Sequence, residues 1–203
     1  MTTRPLSRAA RREQTRDDLI AAADRAFVEG GFHATSLDQI AASAGYTKGA
    51  VYSNFDSKED LFFAVYERRA AAAEAQMAEL FRGDAAAGLD RISADTTGRI
   101  NRDDGWLAAF FEFWAHVIRH PELRGRFAEV HRRLQVPVAG ALERIAAERG
   151  VELPDDALRL AVASGAMQIG LALERLTQPE VVDKALGLRM AHLLLAEIER
   201  SKA

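Results

Sequence analysis

Glu112, His116 and His120 stand at i, i+4 and i+8, so on a helix they share one face, and a metal ion or an acid–base pair is the first chemistry to test. The test goes against it. The line HVIRH lacks the glutamate of an HExxH motif, and no second carboxylate–histidine pair falls at the spacing of a two-metal bundle. His120, just before Pro121, suits a helix C-terminus, where a partly positive ring is favoured. His33 reads as a loop residue, and His131 as either a polar pocket group or, in keeping with Arg132 and Arg133 beside it, a surface residue. No nucleophile elbow, phosphate-cradling loop or zinc finger is present, and there is no cysteine, which excludes disulfides and thiolate metal sites. No metal, cofactor or catalytic residue is expected.

A different chemistry gathers between Thr47 and Phe55. Val51 and Phe55, four apart, would face inward, leaving Thr47, Lys48, Ser53 and Asn54 outward. Gly49 and Ala50 let the backbone approach another surface, Lys48 supplies charge, and Tyr52 carries a hydroxyl on a rigid ring. Hydrogen-bonding groups at the start of a short helix, where unpaired N–H groups and the positive dipole end also lie, suit phosphates and base edges. These are the parts of a nucleic-acid reader.

The elements that must position them are legible. Leu37, Ile40, Ala41 and Ala44 recur with helical spacing, and Ser36 with Gln39 forms a capping box. Gly45 can take the positive φ that ends this helix, and Thr47 opens the next. Before them, Arg16 to Gly30 reads as a helix with Leu19, Ala23, Ala26 and Phe27 inward; Gly30-Gly31 ends it and Phe32 folds back beneath it.

The order GGFHATSLDQIAASAGYTKGAVYSNFDSKEDLF resembles the DNA-binding segment of the tetracycline-repressor (TetR) family over about the first third of the chain. The resemblance implies a dimeric regulator of transcription bound to a palindromic operator. It implies phosphate contacts from Thr35, Ser36, Tyr52 and Lys58, and contacts to phosphates or bases from Tyr46, Thr47, Lys48, Gly49, Ser53 and Asn54. Tyr46, Ser53 and Asn54 depart from the family's commonest residues, which bears on the operator sequence. It further implies that the helices Pro154–Leu176 and Glu180–Glu199 pair with those of a second copy.

Among 203 residues with a net charge of −3, the sharpest asymmetry is at the start, where Arg4, Arg8, Arg11, Arg12 and Arg16 face one acid, Glu13. This stretch reads either as an arm that follows phosphates or as a solubilising tail. Beyond Gly83 the helical segments are Asp84 to Ile100, Trp106 to Arg119, Pro121 to Arg149, Pro154 to Leu176 and Glu180 to Glu199. Ser57 caps a fourth helix that runs to about Phe81. The expectation is an all-α chain of about nine helices: a flexible basic arm (1–15), a three-helix helix-turn-helix domain (16–60) and a helical ligand-binding and dimerisation domain (61–203).

Trp106, Phe110, Phe113, Trp114 and Val117 form one aromatic face, either plain core or the lining of a pocket for a small apolar or aromatic effector that releases the repressor from DNA. No membrane span or signal peptide is expected, because the longest apolar run, Ala161 to Leu173, is short and the N-terminus is arginine-rich. The expected place is therefore the cytoplasm. Two other readings stand beside the effector-released repressor: a dimeric regulator without a ligand, and an enzyme or carrier with a vestigial reader.

Overall fold

The computed structural model describes residues 7–85, 87, 88, 104–183, 186, 189, 190 and 193. Among them are seven helices and no strand: α1 (Arg8–Ala34), α2 (Leu37–Ser43), α3 (Lys48–Tyr52), α4 (Lys58–Leu80), α5 (Asp104–Arg119), α6 (Pro121–Arg149) and α7 (Ala157–Thr177). The described residues are all-α as expected, with seven helices where about nine were expected for the whole chain. Most of the expected helices Asp84–Ile100 and Glu180–Glu199 lies outside the described residues.

α1 begins at Arg8, so residues 8–15 are helix and not flexible arm. Ser7 caps it, its Oγ accepting the N–H of Ala10 at 3.1 Å, and the Ala, Arg, Glu and Gln that follow are strong helix formers. Gln14 adds an i,i+4 hydrogen bond to Asp18 at 2.9 Å. The helix breaks at Gly31, which adopts φ of 76°, a left-handed conformation that favours glycine.

The chain divides into two compact units, residues 1–68 with 105–124 and residues 69–104 with 125–203. This division differs from the expected boundary at residue 60, because α5 belongs with the first unit. The reason is its rings. Phe113 stacks on Phe62 of α4 with centroids 4.1 Å apart and meets Phe32 edge-on at 5.0 Å, while Phe62 also packs on Phe27 at 4.9 Å. Phe27, Phe32, Phe62 and Phe113 are almost wholly buried, and with Leu19, Ile40, Val51, Phe55 and Leu61 they form the core behind the reader.

The second unit is built on the later half of α4, most of α6, and α7. Phe81, Ala85, Ala141, Leu142 and Ile145 form its core, and Ala139, Ala157 and Ala161 a smaller cluster. α6 runs unbroken through Pro137, as its sequence pattern indicates, and Gly150 follows it with φ of 59°. Asp156, not Pro154, sets the start of α7: its carboxylate accepts the N–H groups of Leu158 and Arg159 at 3.0 and 3.1 Å. Arg133 grips Glu74 through two donors, at 2.9 and 3.0 Å.

In the first unit, α1 and α5 touch backbone to backbone at one glycine. A Cβ on Gly105 would stand 2.2 Å from the Val28 carbonyl oxygen, which is backbone and cannot rotate away. Gly105→Ala should therefore destabilise the chain by about 1–3 kcal/mol, as overpacking does. A thermal melt tests this, and an unchanged Tm would mean that the two helices separate without cost.

Candidate nucleic-acid interface

The helix-turn-helix forms through the local signals in its sequence. Ser36 Oγ accepts the Gln39 N–H at 3.2 Å while Gln39 Oε1 accepts the Ser36 N–H at 2.8 Å, completing the capping box of α2. Gly45 takes φ of 74°, and the Tyr46 N–H returns to the Ala41 carbonyl at 2.9 Å, closing the helix end. Thr47 Oγ1 then accepts the Ala50 N–H at 3.3 Å as the cap of α3. α3 is one turn long. Val51 and Phe55 are buried beneath it, and Thr47, Lys48, Gly49, Tyr52 and Ser53 are exposed, Tyr52 to 51%. A Cβ on Gly49 would have only Thr47 Oγ1, at 3.8 Å, as a neighbour, so the chain itself leaves this position open.

α1 holds α3 at both ends. The Tyr46 hydroxyl donates to Asp18 at 2.8 Å just ahead of α3, and at the far end Arg12 donates to the Ser53 carbonyl at 3.2 Å and Arg16 to the Asn54 carbonyl at 3.0 Å. The Arg16 guanidinium also lies 4.4 Å from the centre of the Phe55 ring. Helix C-terminal carbonyls lack helical partners, and cationic donors satisfy them. Two arginines of the stretch that reads either as a phosphate-following arm or as a solubilising tail thus fasten the reader.

Several other residues expected to contact DNA have partners within the chain. Tyr46 spends its hydroxyl on Asp18. Asn54 is half-buried with its amide on the Ala50 carbonyl at 2.8 Å, and the Ser53 hydroxyl donates to the same carbonyl at 2.9 Å. Thr35 is buried, its hydroxyl 2.7 Å from the Gly31 carbonyl and 3.1 Å from that of Ala26, so its side chain belongs to the core. Lys58 is the clearest case. Its Nζ donates to the carbonyls of Phe32, His33 and Thr35 at 2.8, 3.1 and 3.1 Å and lies 4.5 Å from the centre of the Phe32 ring. An ammonium has three donors, and all three close the end of α1.

Lys48, by contrast, is paired on the exposed face, its Nζ 2.8 Å from Asp38 of α2 and 5.8 Å from the centre of the Tyr52 ring. The Asp38 carboxylate raises its pKa above the ordinary lysine value. Sequence reading singled out Lys48 but missed Asp38, whose acidic type in a short polar helix was the available signal.

Behind the reader, the residues weighed for metal chemistry have other partners. Glu112 accepts the His33 N–H at 2.9 Å, fixing the turn after Gly31. His116 Nε2 is 3.3 Å from Glu59, and its ring stacks on His120 at 3.8 Å, with Phe32 at 5.3 Å and His33 at 6.2 Å. Burial lowers the His116 pKa first, then the nearby His120; His33 and Lys58 act in the same direction and Glu59 against it. His131, expected at the surface, is instead partly buried and stacked on Phe127 at 5.6 Å, and burial lowers its pKa too.

The expected effector-lining face is divided by packing. Phe110, Phe113 and Val117 are buried in the first unit, and Trp106 stacks on Phe62 at 5.2 Å. Trp114 is part-exposed beside Phe111. These rings pack on those of α4, Trp106 and Phe113 on Phe62 and Phe110 on Tyr66. A cleft of about 480 Å³ lies instead in the second unit, lined by Ala78, Phe81, Arg82 and Gly83 near the end of α4 and by Pro137, Arg144 and Glu148 of α6. Its residues carry no periodic signal beyond the Arg82-Gly83 break and the proline.

Two outcomes follow from these contacts. Lys58→Gln should cost about 1–3 kcal/mol of stability, the worth of hydrogen bonds from a charged group, and leave the salt dependence of any DNA binding unchanged; a flatter salt slope would return Lys58 to a phosphate. The histidines set a pH dependence. His116 and His131 have lowered pKa values in the folded chain, so the unfolded chain takes up protons more readily, and their contribution to stability is full above the ordinary value of 6.5 and falls as the pH drops below it. Melting at pH 7.5 and 5.5 should show that fall, smaller in His116→Gln; an equal fall in both proteins would remove His116 from the cause.

Comparison with known proteins follows the same lines. Residues 19–65 match the family model for bacterial regulatory proteins of the tetR family, and residues 85–199 match that for the C-terminal part of BetI-type transcriptional repressors. The transcriptional activator FasR of Mycolicibacterium smegmatis is 31% identical over 52% of this chain and 42% of its own length. The transcriptional repressor AcnR of Corynebacterium diphtheriae is 30% identical over 64% of each chain. The chain thus spans less than two thirds of the length of either relative. Among solved structures, the regulator FadR of Bacillus subtilis in complex with stearoyl-CoA superposes with a TM-score of 0.69 at 18% identity, covering 88% of this chain and 96% of that one. A protein of Pseudomonas aeruginosa PAO1 described as a transcriptional regulator superposes with a TM-score of 0.77 at 22% identity, covering 93% and 91%. With both of its parts matched to models of this kind, the chain belongs to the tetR family of bacterial regulatory proteins.

Proposed function

We propose that this chain is a cytoplasmic transcriptional repressor that binds a palindromic operator as a homodimer and leaves it when a small molecule occupies the helical core. The observation that carries the reading is the exposed face of α3. Thr47, Lys48, Gly49, Tyr52 and Ser53 stand outward on a single helical turn whose ends are fastened to α1, with open space above Gly49. A rigid, hydrogen-bonding turn of this size fits a major groove, and one copy reads too few base pairs to be selective, which favours a two-fold pair.

The second copy has a face to meet. α7 carries no charged residue from Leu160 to Leu173, and in that stretch Val162, Ala166, Gly170 and Leu173, spaced on one side of the helix, are all exposed, Val162 to 44% and Leu173 to 42%. α7 is also long and apolar enough by composition to cross a membrane. A second copy would cover this apolar stripe, and the small residues allow close approach. The Glu180–Glu199 helix expected beside it lies largely outside the described residues.

For the effector, the cleft near the end of α4 is the better candidate than the α5 rings, which are packed. An effector releases DNA only if it binds the DNA-incompetent state more tightly, so occupancy there must displace α4 or a neighbour. The FadR fold, which this chain shares, holds stearoyl-CoA in that protein.

Selection of binding sites from random duplex DNA by the purified chain tests the reader. One palindromic motif should emerge and disappear when Thr47 and Tyr52 are both replaced by alanine; motif-free binding would overturn the reading. Ala166→Arg should give a monomer in sedimentation and lose most operator affinity. A dimer that persists would move the interface elsewhere.

A further inference from the structure

Between Thr35 and Ser57 the chain carries two carboxylates, Asp38 and Asp56, and one cation, Lys48. That is a net negative charge on the segment that would lie against a polyanion. Non-specific DNA binding is almost wholly electrostatic, so such a reader starts with little of it. The single cation is moreover already engaged. Lys48 Nζ sits 2.8 Å from Asp38 and over the Tyr52 ring, so it is held between α2 and its own helix, with one of its three donors spent.

We propose that Asp38 is a specificity-determining positioning residue, which holds the Lys48 ammonium away from phosphates and leaves its remaining donors for base acceptors in the groove. The inference rests on the reading of α3 as the DNA reader. An unrestrained lysine on a flexible stem finds a phosphate on any sequence, because phosphates are everywhere along the duplex. Held by a carboxylate, the same ammonium gains little from a phosphate, since reaching one breaks the existing pair and brings Asp38 close to another negative charge. Guanine offers O6 and N7 on the groove floor, where two donors are met without breaking that pair. Asp38 thus lowers affinity for random sequence more than for the operator.

The test measures binding of wild type, Asp38→Asn, Lys48→Gln and the double variant to the selected operator and to a random duplex, across a salt series. Asp38→Asn should bind the random duplex more tightly, with a slope of log K against log salt steeper by about 0.9, the value of one added phosphate contact. Its preference for operator over random duplex should fall by about fivefold or more, the lower end of what one base contact supplies. Lys48→Gln should lose the same preference without flattening the random-duplex slope, and Asp38→Asn should add nothing in that background. A wild-type slope and preference in Asp38→Asn would overturn the proposal. So would an equal loss of affinity on both duplexes, which is the mark of a merely structural role at the start of α2. An effect that persists without Lys48 would show Asp38 acting as a general repulsive charge, and would overturn it too. Should Asp38→Asn fail to fold, Lys48→Gln alone decides, through its slope on random duplex. A wild-type chain with no preferred motif would defeat the DNA-reading assignment itself and leave this pair without a role to test.

Discussion

A helix that ends inside a folded unit leaves carbonyls that water cannot fully reach, and at the end of α1 these are closed by one ammonium. Lys58 donates to the carbonyls of Phe32, His33 and Thr35 and rests on the Phe32 ring. Since Lys58 is the first residue of α4, the contact ties the start of α4 to the segment that leads directly into α2. The same segment is held from the other side by Glu112, which accepts the His33 N–H. Gly31 permits the arrangement twice over: its positive φ turns the chain, and a Cβ there would fall 2.5 Å from the Glu112 carboxylate. The placement of the reader therefore depends on polar closure of one helix end, backed by the phenyl rings of Phe27, Phe32, Phe62 and Phe113.

From that fixed end the logic passes to α3. A five-residue helix has almost no stability of its own, because nucleation costs more than one turn of hydrogen bonds returns. Its shape is imposed by burial of Val51 and Phe55 from below and by Asp18, Arg12 and Arg16 from α1. The residues left outward are then presented rigidly. This explains why cations near the reader are mostly internal fasteners, and why one exposed cation, itself paired, remains on the presenting face.

The second unit follows a different rule. Its core is built on Phe81, Leu142 and Ile145, and α7 contributes only alanines, Ala157, Ala161 and Ala172, to the buried set. α7 leaves Val162 and Leu173 exposed, whereas α1 and α5 in the first unit pack on each other at Gly105. The tetR-family assignment joins these two units in one chain.

The sequence by itself determined what is local. The capping box of Ser36 and Gln39, the turn at Gly45, the Thr47 cap, the Ser57 cap, whose Oγ accepts the Asp60 N–H at 3.1 Å, and the single long α6 are all decided by side chains within a few residues of the backbone they satisfy. The all-α class and the inward and outward faces of α2 and α3 followed from period alone. Only the tertiary structure decided which polar groups are spent. Tyr46 and Lys58 have the types of DNA-contacting residues, but their partners Asp18 and Phe32 lie 28 and 26 positions away in sequence and become neighbours only in the folded unit. Trp106, Phe110 and Phe113 likewise read as pocket or core until Phe62 meets Trp106 and Phe113 and Tyr66 meets Phe110. A hydrogen-bonding side chain or an aromatic ring carries its chemistry in its type, but whether that chemistry faces outward depends on what the fold brings within about 3 Å of a donor or 4–7 Å of a ring centre.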